Sequence, residues 1–211
     1  MRRDAVCRAD RPGHDTQGRM YVWARRLVLA VMGLGSGELG YRIQVSAGAL
    51  RHEGRLAPEV ITISLSFVIL SVAVGVALGE VATKLQSAEK GVEGGALRAL
   101  QLVAASVAML GLAVSLPFDR GYAVTLTLCS LAFLAWASFE RTRPGLIIGI
   151  TLAALGTSVD LFGVGRGWYA FPEGLRHVWN IPAWRPAFYF SAGIVVSQAT
   201  RAINGAFAIG K

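Results

Sequence analysis

Charge is scarce in this chain, and what there is gathers in short clusters. Asp, Glu, Lys and Arg make up 16% of the 211 residues, against about 25% in soluble domains. Hydrophobic residues reach 54%, and the mean hydropathy is +0.50. Apolar runs near the ~20 residues that cross a hydrocarbon core separate the charged clusters. The pattern implies an all-α, polytopic membrane protein.

Cysteine is nearly missing. Cys7 and Cys129 support neither a disulfide framework nor a metal cluster, and Cys129, in the middle of an apolar run, is expected to be a small packing residue. Histidine is as sparse: His14, His52 and His177 have no second His or Cys at ligand spacing, so no metal site is expected. The run Gly33-Leu34-Gly35-Ser36-Gly37 sits among apolar residues with no Lys-Ser/Thr after it, which excludes a phosphate loop. No serine lies in a nucleophile elbow. Catalytic residues and cofactors are therefore both expected to be none, and the chain reads as a non-enzyme.

Acidic residues are outnumbered 13 to 21, giving a net charge of +8. In a soluble protein such a balance points to nucleic acid. Here the basic residues flank apolar runs, topology accounts for them, and no nucleic-acid partner is expected. Arg is preferred to Lys 18 to 3, and Ala, Gly and Val are abundant. This bias is common in GC-rich bacterial genomes and points to a bacterial plasma membrane, or to the endoplasmic reticulum if the host is eukaryotic.

Six spans are predicted, at 25–46, 60–82, 97–116, 122–139, 146–165 and 184–203, preceded by a disordered basic tail at 1–20 and followed by a tail at 205–211. Pro58 opens the second span where a missing amide hydrogen costs nothing, and Pro117 follows the third. With the N-terminus inside, the inner face holds fourteen Lys and Arg, including Lys84, Lys90, Arg98, Arg141, Arg143 and Arg201, and the outer face holds seven. That excess predicts cytoplasmic termini at both ends. Trp23, Trp136, Trp168, Trp179 and Trp184 fall near span ends, where indole rings favour the headgroup zone.

Within the spans, Gly33 and Gly37, Gly75 and Gly79, and Gly145 and Gly149 form small-xxx-small pairs that let helices approach closely. Intramolecular packing is their expected use, with an oligomer contact as the alternative, and dimer and trimer are both open. An ionisable residue in a span costs at least ~2.5 kcal/mol at the bilayer centre. Glu38 and Arg42 stand one turn apart and can neutralise each other, or gate a lipid cavity. Asp160 is expected to reach the outer headgroups, and Glu80 has a similar explanation at the inner end. No acid pair sits mid-bilayer as a proton relay requires.

The run Trp136-Ala137-Ser138-Phe139-Glu140-Arg141-Thr142-Arg143-Pro144-Gly145 resembles the insulin-induced gene (Insig) family, whose fourth span ends in Trp-Trp-Thr-Phe-Asp-Arg-Ser-Arg-Ser-Gly. A second block, from Trp184-Arg185-Pro186 through Phe190-Ser191-Ala192-Gly193 to Arg201, resembles the family's last helix. Trp168-Tyr169 and Pro172-Glu173 parallel a Tyr-rich loop between the two. The first half is less similar, with Ile43-Gln44 and Pro58-Glu59-Val60-Ile61 at comparable places. Six spans with both termini cytoplasmic is also the family topology.

The resemblance implies a non-catalytic sensor or adaptor. Eukaryotic members bind oxysterols among their helices and hold partner membrane proteins. This chain departs from them where a polar Gln of the fourth span becomes Ala123, which removes a donor for a sterol hydroxyl. The Asp that ends that span becomes Glu140, and an Asp-Phe before it becomes Pro117-Phe118. The resemblance implies a cavity for a neutral lipid, diacylglycerol or sterol-like, contacted by Phe118, Ala123, Trp136, Phe139, Glu140 and Gln198. It also implies a partner surface at Glu140, Arg141 and Arg143. The bland alternatives are a topology-fixing charge cluster for these three, and interface anchors or core for Phe118, Trp136, Phe139, Trp184 and Phe190. A small-solute transporter is the rival function, and it expects broken helices or buried charge.

Overall fold

The computed structural model describes residues 22–27, 29–31, 45, 57–86, seven helical positions between 97 and 111, and 121–208. Described helical residues fall in each of the six predicted spans, and no strand is present among them beyond one bridge between Val178 and Ile181. The architecture is all-helical. The predicted tail at 1–20, the Glu38/Arg42 pair, Gly33/Gly37 and Phe118 lie outside the described residues.

Four helices carry the described packing. Helix α1 is Ala57–Gln86. Helix α2, Gly121–Ala135, continues into a π turn at Trp136–Glu140. Helix α3 is Arg143–Gly165 and α4 is Arg185–Ala208, so both Arg143 and Arg201 are helical. Among the described residues, Tyr122–Glu140 and Arg143–Gly165 are long and apolar enough to cross a bilayer.

The α2 to α3 connection is tight because its residues suit it. The π turn closes with the Arg141 amide donating to the Trp136 carbonyl at 2.9 Å, a widened turn of the kind found at helix irregularities. Arg141 takes a left-handed φ of 50° and reverses the chain. Thr142 then caps α3, its Oγ1 accepting from the Gly145 amide at 3.2 Å, with Pro144 in the first turn where no amide hydrogen is needed.

Helices α3 and α4 meet backbone to backbone. A Cβ added at Gly193 would stand 2.7 Å from Gly149 Cα and 2.9 Å from the Ile148 carbonyl, and one at Gly149 would stand 2.7 Å from a Phe190 ring carbon. Gly156 accepts the Tyr189 ring and Gly163 the Tyr169 ring in the same way. Gly79 faces Leu29. Gly79, Gly149, Gly156 and Gly163 thus serve packing inside the chain.

The core runs along this seam. Trp184 lies with Val124, Leu128, Ala132 and Ala187. It is 1% exposed, so of the two readings its position left open, headgroup anchor and core, the core one holds, because the turn before α4 tucks the ring under α2. Cys129 is exposed. It sits on the outward face of α2 and is not the packing residue expected, since Leu128 and Ala132 turn inward there. The loop between α3 and α4 builds its own core from Tyr169, Phe171, Leu175 and Ile181.

Gly193→Val should drive α3 and α4 apart and cost about 1–3 kcal/mol or more, whereas Gly165→Ala, whose Cβ would meet nothing within 4 Å, should change stability little. Thermal unfolding of both variants in one detergent checks the contrast.

Candidate functional site

Two polar centres lie at opposite ends of the α3–α4 seam. The first forms where the π turn brings Glu140 against α4. Its side chain is fully buried and pairs with Arg201 Nη2 at 2.9 Å. Ser197 Oγ donates to the same Glu140 Oε1 at 2.8 Å, and Thr142 Oγ1 donates at 2.7 Å. Arg201 Nη2 also donates to Thr142 Oγ1 at 2.7 Å. Gly145 makes the room, since a Cβ there would collide with the Glu140 carboxylate.

Gln198, next to Ser197, donates to the Phe139 carbonyl at 2.6 Å. From the last turn of α1, Gln86 donates to the Ser197 carbonyl at 2.9 Å and to Ser197 Oγ at 3.0 Å. Several atoms of this centre are buried with no partner: Glu140 Oε2, Gln198 Oε1, Gln86 Oε1, Arg201 Nη1 and the Trp136 indole nitrogen. The apolar neighbours are Ala135 and Ile194, flanked by Trp136, Phe139, Phe190 and Val195. Chemically, this is a buried polar cluster with hydrogen-bonding capacity left over, in a setting where an unpaired polar atom costs ~1–3 kcal/mol.

The structure brings four of the predicted lipid-contact residues together here, namely Trp136, Phe139, Glu140 and Gln198. Ala123 is not with them. It is exposed in the first turn of α2, about 25 Å from Glu140 along the helix at ~1.5 Å per residue. Arg141 and Arg143 are exposed. Gln86, Thr142, Ser197 and Arg201 were missed by sequence reasoning. The spacing of Ser197 and Arg201, one helical turn apart, was the available signal, since it puts both on one face of α4. Arg201 looked like a flanking charge because it lies near the inner end of the predicted span 184–203, where basic residues are expected.

The second centre overturns the expectation for Asp160. That residue is fully buried and does not reach the headgroups, because α4 begins with an arginine that turns into the seam. Arg185 donates to both carboxylate oxygens, at 2.6 and 2.7 Å. Tyr169 donates at 2.9 Å and Tyr189 at 3.1 Å. The guanidinium lies 4.8 Å from the centre of the Tyr189 ring and 5.5 Å from that of Phe171, a cation–π surround. Burial, and then the adjacent Asp160 charge, hold the Tyr169 phenol well above its ordinary range, so it remains a donor. Beside this centre is a cavity of about 230 Å³ lined by Val164, Tyr169, Phe171 and Arg176, among others. It lies under the loop and not at Glu140.

Glu80 has a third role: it pairs with Arg25 at 2.6 Å and Arg26 at 2.9 Å, tying α1 to helical residues 22–27. No group of three or more His, Cys, Asp or Glu side chains able to hold a metal occurs among the described residues.

No family model matches the chain. Over 104 residues, 48% of this chain, it is 33% identical to the insulin-induced gene 1 proteins of Xenopus tropicalis and Homo sapiens. It spans only 40% and 36% of their lengths. The mycobacterial Insig homolog MvINS from Mycobacterium vanbaalenii superposes with a TM-score of 0.75 over 86% of this chain and 95% of its own, at 23% identity. The chain is Insig-like. At that identity the mycobacterial likeness speaks for the fold, while the similarity to the animal proteins speaks for the sequence. This Insig-like chain is accordingly a membrane protein.

Removing one partner of the Asp160–Arg185 pair leaves the other charge buried and alone, so Asp160→Asn should cost about 3–5 kcal/mol. Asp160→Leu combined with Arg185→Met should recover most of that loss. Unfolding midpoints of the wild type, the single variant and the double variant in one detergent decide it.

Proposed function

We propose that this Insig-like protein crosses the membrane six times with both termini cytoplasmic. Between its helices it binds a neutral lipid, diacylglycerol or sterol-like, and it acts without chemistry as a sensor or adaptor. The observation that carries this reading is the centre at Glu140, where buried polar atoms without partners adjoin the apolar side chains of Trp136, Phe139, Phe190 and Ile194. Lipid sites combine an apolar body with a few polar groups at one end in this manner. Glu140 and Gln198 orient the headgroup, and Arg141 and Arg143, exposed beside the site, face a partner membrane protein.

The chain acts as a homo-oligomer on this reading. A cross-linked trimer is described for MvINS, and here Leu126, Phe133, Leu134 and Ile150 leave apolar area on the outer surface of α2 and α3. Because Gly145 and Gly149 are occupied inside the fold, the contact between copies rests on these larger side chains. A transporter would use buried charge in its spans. Asp160 and Arg185 supply buried charge, but the carboxylate is already filled by three partners, which favours a fixed structural pair over a transport site.

Native mass spectrometry of the detergent-purified protein should show a co-purifying neutral lipid, reduced in Glu140→Gln and Gln198→Ala. An empty protein that gains no thermal stability from added diacylglycerol or sterol would sink the reading, and solute flux in liposomes would then support the transporter.

A further inference from the structure

The centre at Glu140 has more unpaired acceptors than one hydroxyl can serve. Glu140 Oε2, Gln198 Oε1 and Gln86 Oε1 are buried acceptors without a donor, and Arg201 Nη1 and the Trp136 indole nitrogen are buried donors without an acceptor. They belong to one connected group. Ser197 Oγ links Glu140, at 2.8 Å, to Gln86, at 3.0 Å. Gln198 holds the carbonyl of the residue before Glu140, and Arg201 holds Glu140 itself.

Buried polar atoms are nearly always partnered. A concentration of exceptions marks a place where partners come from outside the chain. Donors and acceptors are both missing here, and a hydroxyl supplies each. A phosphate headgroup offers acceptors and brings negative charge towards the uncovered oxygen of Glu140. A sterol or a diacylglycerol offers a single hydroxyl, which satisfies one acceptor and leaves the others bare.

We propose that this centre recognises the polyol headgroup of a neutral lipid, one carrying two or more free hydroxyls, with Gln86 and Arg201 acting as specificity residues beside Glu140 and Gln198. The proposal rests on the neutral-lipid reading above and narrows it. A glycerol bearing one acyl chain is the smallest such headgroup, and a sugar on a diacylglycerol carries the same chemistry. Gln86 is the point of entry. Its bonds to Ser197 are neutral, whereas the bond between Glu140 and Arg201 is charge-assisted and about twice as strong. A ligand hydroxyl that inserts between the two donates to Ser197 Oγ in place of the Gln86 amide, accepts from that released amide, and reaches the bare acceptors behind it.

The test uses the full chain in detergent with four probes of matched acyl length: a monoacylglycerol, the same molecule with both hydroxyls methylated, a glycosylated diacylglycerol and a plain diacylglycerol. The expected result is a rise in Tm on the order of 5 °C near saturation with the monoacylglycerol or the glycosylated lipid. The plain diacylglycerol should give a smaller rise and the methylated analogue none. Gln86→Leu and Gln198→Leu should each reduce the polyol shift by more than half while leaving the diacylglycerol shift largely in place. Each shift is read against the same variant without lipid, so a change in basal stability does not enter.

Equal shifts with diacylglycerol and polyol lipids would overturn this proposal and leave the neutral-lipid reading standing. A polyol shift unchanged in both glutamine variants would also overturn it, with water then filling the bare positions. No shift with any probe would remove the neutral-lipid reading itself.

Discussion

The fold depends on the absence of two side chains. Where Gly149 and Gly193 face each other, the backbones of α3 and α4 come so close that a single added carbon would press on backbone atoms across the seam. In a membrane, lipid tails are as apolar as the helix surfaces, and association rests on close packing and on hydrogen bonds between helices. Close approach supplies the first directly. It also supplies the second, because a seam that tight brings side chains at either end within bonding distance. Glu140 meets Ser197 and Arg201 at one end, and Asp160 meets Arg185 and Tyr189 at the other.

The two ends are built from similar groups and differ in completion. At Asp160 both carboxylate oxygens are taken, two tyrosines and an arginine converge on them, and aromatic rings enclose the guanidinium. A saturated pair of this sort favours one geometry and resists exchange. At Glu140 one oxygen takes three donors and the other takes none, while Arg201, Gln198 and Gln86 each keep a bare atom. Low dielectric makes each unmet bond costly. The first end therefore acts as a lock, and the second is the end with something left to bind.

The sequence pattern made some of this legible. Apolar runs near membrane-spanning length exposed the helices, and the motif around Trp136 to Gly145 exposed both the turn and Glu140. Gln198 stood out because an amide deep in a span wants a partner. Asp160 did not stand out, since an acid near the end of a span reads as an interfacial one until its partner is known. That partner, Arg185, lies far away in the chain and looked like a flanking charge after Trp184. Gln86 and Ser197 were hidden for a related reason: small polar residues are common in membrane helices, and only the contacts of α4 with α1 and with the π turn give these two a role. What sequence leaves out here is pairing across helices. Residue type and period do not carry it.

The placement of the charges on α4 bears on how a sensor of this construction would respond. Arg185 and Arg201 stand about 24 Å apart at ~1.5 Å per residue, close to the ~30 Å of a hydrocarbon core, and each is held by an acid on the α2–α3 side. A slide of α4 by one turn would break both pairs together, so α4 is fixed along its axis. Helix α1 is held differently. It touches the Glu140 centre through the neutral Gln86 amide, and through Glu80 it is fastened to the helical residues carrying Arg25 and Arg26. A ligand that competes with Gln86 for Ser197 would thus loosen α1 and the segment bonded to it, while α2, α3 and α4 stay together. On the proposed reading, α1 is the described element best placed to report on a bound lipid, because its bonds to the Glu140 centre are neutral ones.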